Sequence, residues 1–179
     1  MTPSTKRGSA TPLDKGEERI SALIANLASR DPTVRTKARK ALVAVGKPSV
    51  PSLIPLLSDR KPHLRWEAAK TLGGIADPIT ATALVNALED SDSDVRWVAA
   101  EGLIALGQEG LEPLLAACLE RDKSRWFGDA LHHVCHTLAK KKRLGPILRP
   151  VLAALQQPER RLAVPSAAYA ALSRLRETA

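Results

Sequence analysis

Apolar residues recur along this chain in quartets spaced i, i+3, i+4, i+7. The first four are Ile20/Leu23/Ile24/Leu27, Val50/Leu53/Ile54/Leu57, Ala81/Leu84/Val85/Leu88 and Leu111/Leu114/Leu115/Cys118. That spacing puts each quartet on one face of a helix. Their first members stand at 20, 50, 81 and 111, so the pattern returns every 30 or 31 residues. A second helical stripe follows each of the first three: Val34/Ala38/Ala41/Leu42/Val45, Leu64/Ala68/Thr71/Leu72/Ile75 and Val95/Ala99/Gly102/Leu103/Leu106. Paired helices at such a period predict a solenoid, because each hairpin can bury its apolar face only against its neighbours. The first helix of each pair is termed A and the second B.

Helix boundaries are also legible. Asp31-Pro32 supplies an N-cap and a first-turn proline, Pro62 plays the proline part in the second unit, and Ser93 is the expected cap of the third. Gly46, Gly73-Gly74 and Gly107 are read as ends or near-ends of B helices. Pro55, Pro113 and Pro150 fall inside A helices, where kinks are expected. The fourth B stripe is Phe127/Ala130/Leu131/Val134/Cys135/Leu138, which sets Arg125-Trp126 about one turn earlier than the Arg-Trp pairs before it. A basic connector, Lys140 to Arg143, leads to a fifth A helix through Leu144, Ile147, Leu148, Val151, Leu152 and Leu155. The last helix is expected to start near Pro165. The expected architecture is an all-α superhelix of about five helical hairpins over residues 15–179, preceded by a disordered basic tail at 1–14.

Composition narrows the chemistry. Apolar residues make up 44% of 179 and aromatics only 3%, so Leu, Ala, Val and Ile must fill the core. The formal net charge of +8 favours an acidic partner without naming one. Cys118 and Cys135 lie within apolar stripes and read as free buried thiols of a reducing compartment. No apolar run nears a membrane span, and the first residues lack the apolar block of a secretory signal, so the cytoplasm and a monomer are the expectations.

The units end on a recurring phrase. Asp90, Asp92, Val95, Arg96, Ala99, Ala100 and Leu103 carry it in the third unit. Asp59, Leu64, Arg65, Ala68, Ala69, Leu72 and Gly73 carry it in the second. This resembles the HEAT repeat, and more narrowly the short subtype called PBS-lyase HEAT-like repeats, over roughly residues 17–178. The resemblance implies a ladder in which the loop Asp and the helix-B Arg bond to each other or to adjacent repeats. Asp59–Arg65 and Asp90–Arg96 keep its six-residue spacing, whereas unit one has Ser29 in place of the Asp. It also implies that B helices line a concave surface.

On a helical wheel Trp66 and Trp97 fall nearly opposite the apolar stripe, beside Lys70 and Glu101. The candidate partner groove therefore comprises Arg35, Arg39, Lys40, Arg65, Trp66, Lys70, Arg96, Trp97, Arg125 and Trp126. Arginine beside indole suits cation–π contacts, carboxylates, phosphates or stacked bases. The competing reading makes Arg65 and Arg96 rungs of the ladder and the indoles shields of neighbouring helix ends. Asp129, His132, His133 and His136 sit at helical metal-ligand spacing, but no second segment offers further ligands, so solvated or partner-facing histidines are the expectation.

The leading functional reading is a non-catalytic, cofactor-free scaffold whose groove holds an acidic segment of another protein. Nucleic-acid binding is the alternative, through basic blocks at 30–47 and 140–149, by resemblance to HEAT-like alkylpurine DNA glycosylases with Asp129 near Trp126. A phycobilin-lyase-like protein is a further one. The iron ligands of deoxyhypusine hydroxylase are missing, since the corresponding places read Trp66-Glu67 and Trp97-Val98.

Overall fold

A computed structural model describes residues 15–120 and 124–177; the tail at 1–14 lies outside them. Among the described residues the regular structure is helical throughout. The A helices are α1 (Lys15–Leu27), α3 (Val50–Leu53), α5 (Ala81–Ala87), α7 (Gln108–Ala117) and α9 (Gly145–Leu155). The B helices are α2 (Pro32–Val45), α4 (Pro62–Ile75), α6 (Ser93–Leu106), α8 (Arg125–Leu138) and α10 (Arg160–Glu177).

Local chemistry explains the boundaries. The Asp31 side chain accepts from the Thr33 N–H at 2.7 Å and opens α2. In the third unit the cap is Asp92, one residue before the expected Ser93, because its carboxylate accepts from both Asp94 and Val95 N–H groups. Gly46 and Gly107 end α2 and α6 at positive φ. Gly73 and Gly74 stand in the last turn of α4, which Ala76 closes in the left-handed region at φ 52°. Pro55 cannot donate to an α-helical ladder, so α3 is one turn flanked by 3-10 segments, Lys47–Ser49 and Ile54–Ser58. Pro113 and Pro150 lie within continuous α7 and α9. The last helix starts at Arg160, with Pro165 inside it. Nothing in Arg160–Val164 breaks a helix, and an interior proline removes a single N–H bond.

The core is leucine-built: Leu27, Leu42, Leu53, Leu72, Leu84, Leu88, Leu103 and Leu111 are fully buried. The B helices form a row, α4 packing on α2 and α6, and α6 on α8, while α5 packs on α6 and α7. The row changes at its end. There α9 lies against α8, and α10 turns back across α9 to reach α7. Small residues set the pitch of the row. A Cβ built on Gly73 would sit 2.9 Å from the Gly102 Cα, so α4 and α6 meet almost backbone to backbone. Gly73 therefore also serves close approach. Both thiols are buried and neither forms a disulfide among the described residues. Burial, with Cys118 nearby, pushes the Cys135 thiol far above its ordinary value, so it stays protonated.

Helix propensity alone makes Gly73→Ala stabilising by about 1 kcal/mol. The contact with Gly102 reverses that sign. Urea denaturation is expected to show Gly73→Ala less stable than wild type by about 1–3 kcal/mol.

Candidate binding face of the B helices

Arginine organises this face. Arg35, Arg65 and Arg96 occupy the same place in α2, α4 and α6. Each points Nη1 back to the carbonyl six residues earlier: Ser29 at 3.0 Å, Asp59 at 3.0 Å and Asp90 at 2.7 Å. The six-residue spacing thus joins a guanidinium to a backbone oxygen, not to the aspartate side chain. That is why the first rung forms although Ser29 replaces the aspartate.

The rest of each guanidinium reaches forward. Arg65 grips the Asp90 carboxylate of the next repeat with two bonds of 2.6 and 2.7 Å. Arg35 (3.1 Å) and Arg39 (2.5 Å) share Glu67 of the next repeat, a residue only 4% exposed. Burial raises the Asp90 carboxyl, but the Arg65 bonds, with help from the Asp92 N–H, outweigh it and hold Asp90 below its ordinary 3.8. Glu67 escaped the sequence reading. Its signal was a lone carboxylate beside the invaginated pair Ala68-Ala69, where an acid needs a cation from another segment.

The indoles divide. Trp66 is half-buried against the core, with the Arg39 guanidinium 5.4 Å over its ring, so it is less open than the wheel implied. Trp97 is 56% and Trp126 42% exposed. The His133 ring stacks on Trp97 at 4.5 Å, and His133 Nε2 lies 2.8 Å from Glu101. Arg96 covers Trp126 at 4.5 Å. Between α6 and α8 these groups surround a recess of about 200 Å³, floored by Ala100 and Ala130, with Asp129 on its lining. The apolar stripe of α8 is Phe127, Leu131, Val134, Cys135 and Leu138, which sets the register in which Trp126 precedes the place of Trp97.

Of the ten sequence candidates, Arg35, Arg39 and Arg65 are held in inter-repeat ion pairs, and Arg96 in the rung and the ring contact. Lys40, Lys70 and Arg125 are exposed and carry no ion pair among the described residues. The histidines separate: His132 stacks on His136 at 5.8 Å while His133 turns to Glu101. Among the described residues no three His, Cys, Asp or Glu side chains converge on a common point.

A family model described as HEAT repeats matches residues 20–104 and 52–130, together more than half the chain. The chain belongs to the HEAT repeat family. A solved structure of the complex of CpcE and CpcF of phycocyanin lyase from Nostoc sp. PCC7120 contains a chain 26% identical to this HEAT protein. The match covers 84% of this chain and 98% of that one, with a TM-score of 0.57. An engineered protein is 19% identical over 87% of this chain and 78% of its own, with a TM-score of 0.43. A designed armadillo repeat protein in complex with the peptide (KR)4 is 16% identical over 89% and 92%, with a TM-score of 0.38. No curated protein matches the chain. Among the described residues no single helix is long and apolar enough to cross a membrane.

Two measurements check the ladder. Glu67→Gln strands two guanidiniums that keep some access to water, so chemical denaturation is expected to show a loss of about 2–3 kcal/mol, below the full penalty of a wholly buried pair. The depressed Asp90 pKa contributes stability that is present above its ordinary value and lost as pH falls through its lower folded value. The stability gap between wild type and Asp90→Asn should therefore be constant near neutrality and close only on the acid side of about pH 4.

Proposed function

We propose that this HEAT protein is a non-catalytic binding module whose B-helix face holds an acidic segment of another protein. The observation that carries the reading is the pair of open indoles, Trp97 and Trp126, set on neighbouring helices around one small recess. Exposed tryptophans fixed by neighbouring rings and guanidiniums are the kind of side chain that anchors a partner at low entropic cost. The recess suits one large side chain. The charge along the rest of the face supports an acidic flank: Glu67 and Asp90 are consumed by ladder arginines, while Lys40, Lys70 and Arg125 stay open to solvent, and Asp129 is an open acid at the recess itself.

The polar groups of this face are spent on holding repeats together instead of converging on a reacting atom, which favours binding over catalysis. Likeness to a chain solved in the complex of CpcE and CpcF favours a protein as the partner.

Fluorescence anisotropy with labelled peptides tests the reading. Acidic peptides bearing one Leu, Phe or Trp are expected to bind, and Trp97→Ala with Trp126→Ala to weaken them by about 10- to 100-fold at unchanged thermal midpoint. Tighter binding of lysine-rich counterparts or of a single-stranded oligonucleotide would reject it. Trp66→Ala is a poor probe, since its ring packs on the core.

A further inference from the structure

A second recess, of about 720 Å³, opens where α7 ends and α8 and α10 begin. It exists because the repeat pattern breaks there. Phe127, Leu131, Val134, Cys135 and Leu138 of α8 take the places of Val95, Ala99, Gly102, Leu103 and Leu106 in α6. Gly128 therefore stands where the ladder arginine stands in the three helices before it. With α10 folded back on α7, no neighbouring helix fills the space that the missing side chain leaves.

Gly128 has no structural reason to be glycine. Gly73, Gly102, Gly110 and Gly145 each have a neighbour 3.0 Å or less from an added Cβ; Gly128 has nothing within 4 Å. Glycine inside a helix costs about 1 kcal/mol relative to alanine, so an uncrowded one keeps space open. Three guanidiniums, Arg125, Arg160 and Arg161, line that space against one carboxylate, Glu120, and none of the three has an ion-pair partner among the described residues. They sit in the first turns of α8 and α10, neither of which has an acid there, the least favourable end of a helix for a cation. The floor is apolar, formed by Phe127, Leu155 and Val164.

A cavity of ligand size with an apolar floor and three arginines to one carboxylate on its lining selects one chemistry. We propose that this recess binds a soluble organic anion: an apolar body lying over Gly128 and Phe127, with a carboxylate or phosphate head held by Arg125, Arg160 and Arg161. The recess shares Arg125 with the charged rim of the Trp97–Trp126 face but has its own lining, and it does not depend on the function proposed there.

Isothermal titration calorimetry on the full chain, with decanoate, decanol and inorganic phosphate as probes, tests this. Decanoate is expected to bind saturably at one site, and decanol and phosphate at least about tenfold more weakly, since each lacks half of the recognised chemistry. Arg160→Gln with Arg161→Gln should lower decanoate affinity about tenfold. Gly128→Phe should fill the recess and abolish binding with the helical circular dichroism retained, and Trp97→Ala should leave binding unchanged. The proposal is overturned if decanoate shows no saturable heat, if decanol matches it, or if the arginine and glycine variants bind as wild type does.

Discussion

The contact on which this solenoid depends is a guanidinium held at both ends. One end of Arg35 or Arg65 closes the loop before its own helix, and the other takes a carboxylate from the following repeat. A bidentate bond such as Arg65–Asp90 fixes angle as well as distance, which a leucine interface cannot do. Apolar burial supplies most of the stabilisation, but it tolerates sliding between helices. The arginine ladder removes that freedom. It fixes how far each hairpin is turned against the next, and hence how the B-helix side chains line up.

That alignment has a functional corollary. Since Arg35, Arg39 and Arg65 are taken up by Glu67 and Asp90, the positive charge visible on the B face belongs to lysines and to Arg125, not to the arginine row as a whole. The two open indoles are likewise positioned by inter-repeat contacts, Trp97 through His133 and Trp126 through Arg96. Under the function proposed above, recognition and assembly would share residues, and substitutions at Arg96 or His133 would be felt in both.

The hairpins, their period and the α8 register were legible because burial acts through periodicity, and periodicity is written in the chain. Which arginines remain available was not legible. The wheel gives the direction of a side chain but not the carboxylate it meets 25 or 32 residues later, as with Arg65–Asp90 and Arg35–Glu67. The wheel likewise left Trp66 open, because it cannot see Arg39 folding over the ring. Gly73 read as a near-end signal, which holds, but its second use, close approach to α6, was not legible because only the neighbouring helix reveals it. The return of α10 onto α7 had no sequence signal at all: its apolar positions satisfy either packing.

The rungs also bear on how the connecting loops can change. Each arginine reads a main-chain oxygen, which every amino acid offers, so the side chain at 29, 59 or 90 is irrelevant to that bond. What matters is counting: one residue inserted between the oxygen and the helix would aim the guanidinium at the wrong peptide. Outside the capping aspartates and Asp90, whose carboxylate holds Arg65, the connectors are therefore tolerant in composition and strict in length, which makes their remaining positions natural places to graft new chemistry without disturbing the stack.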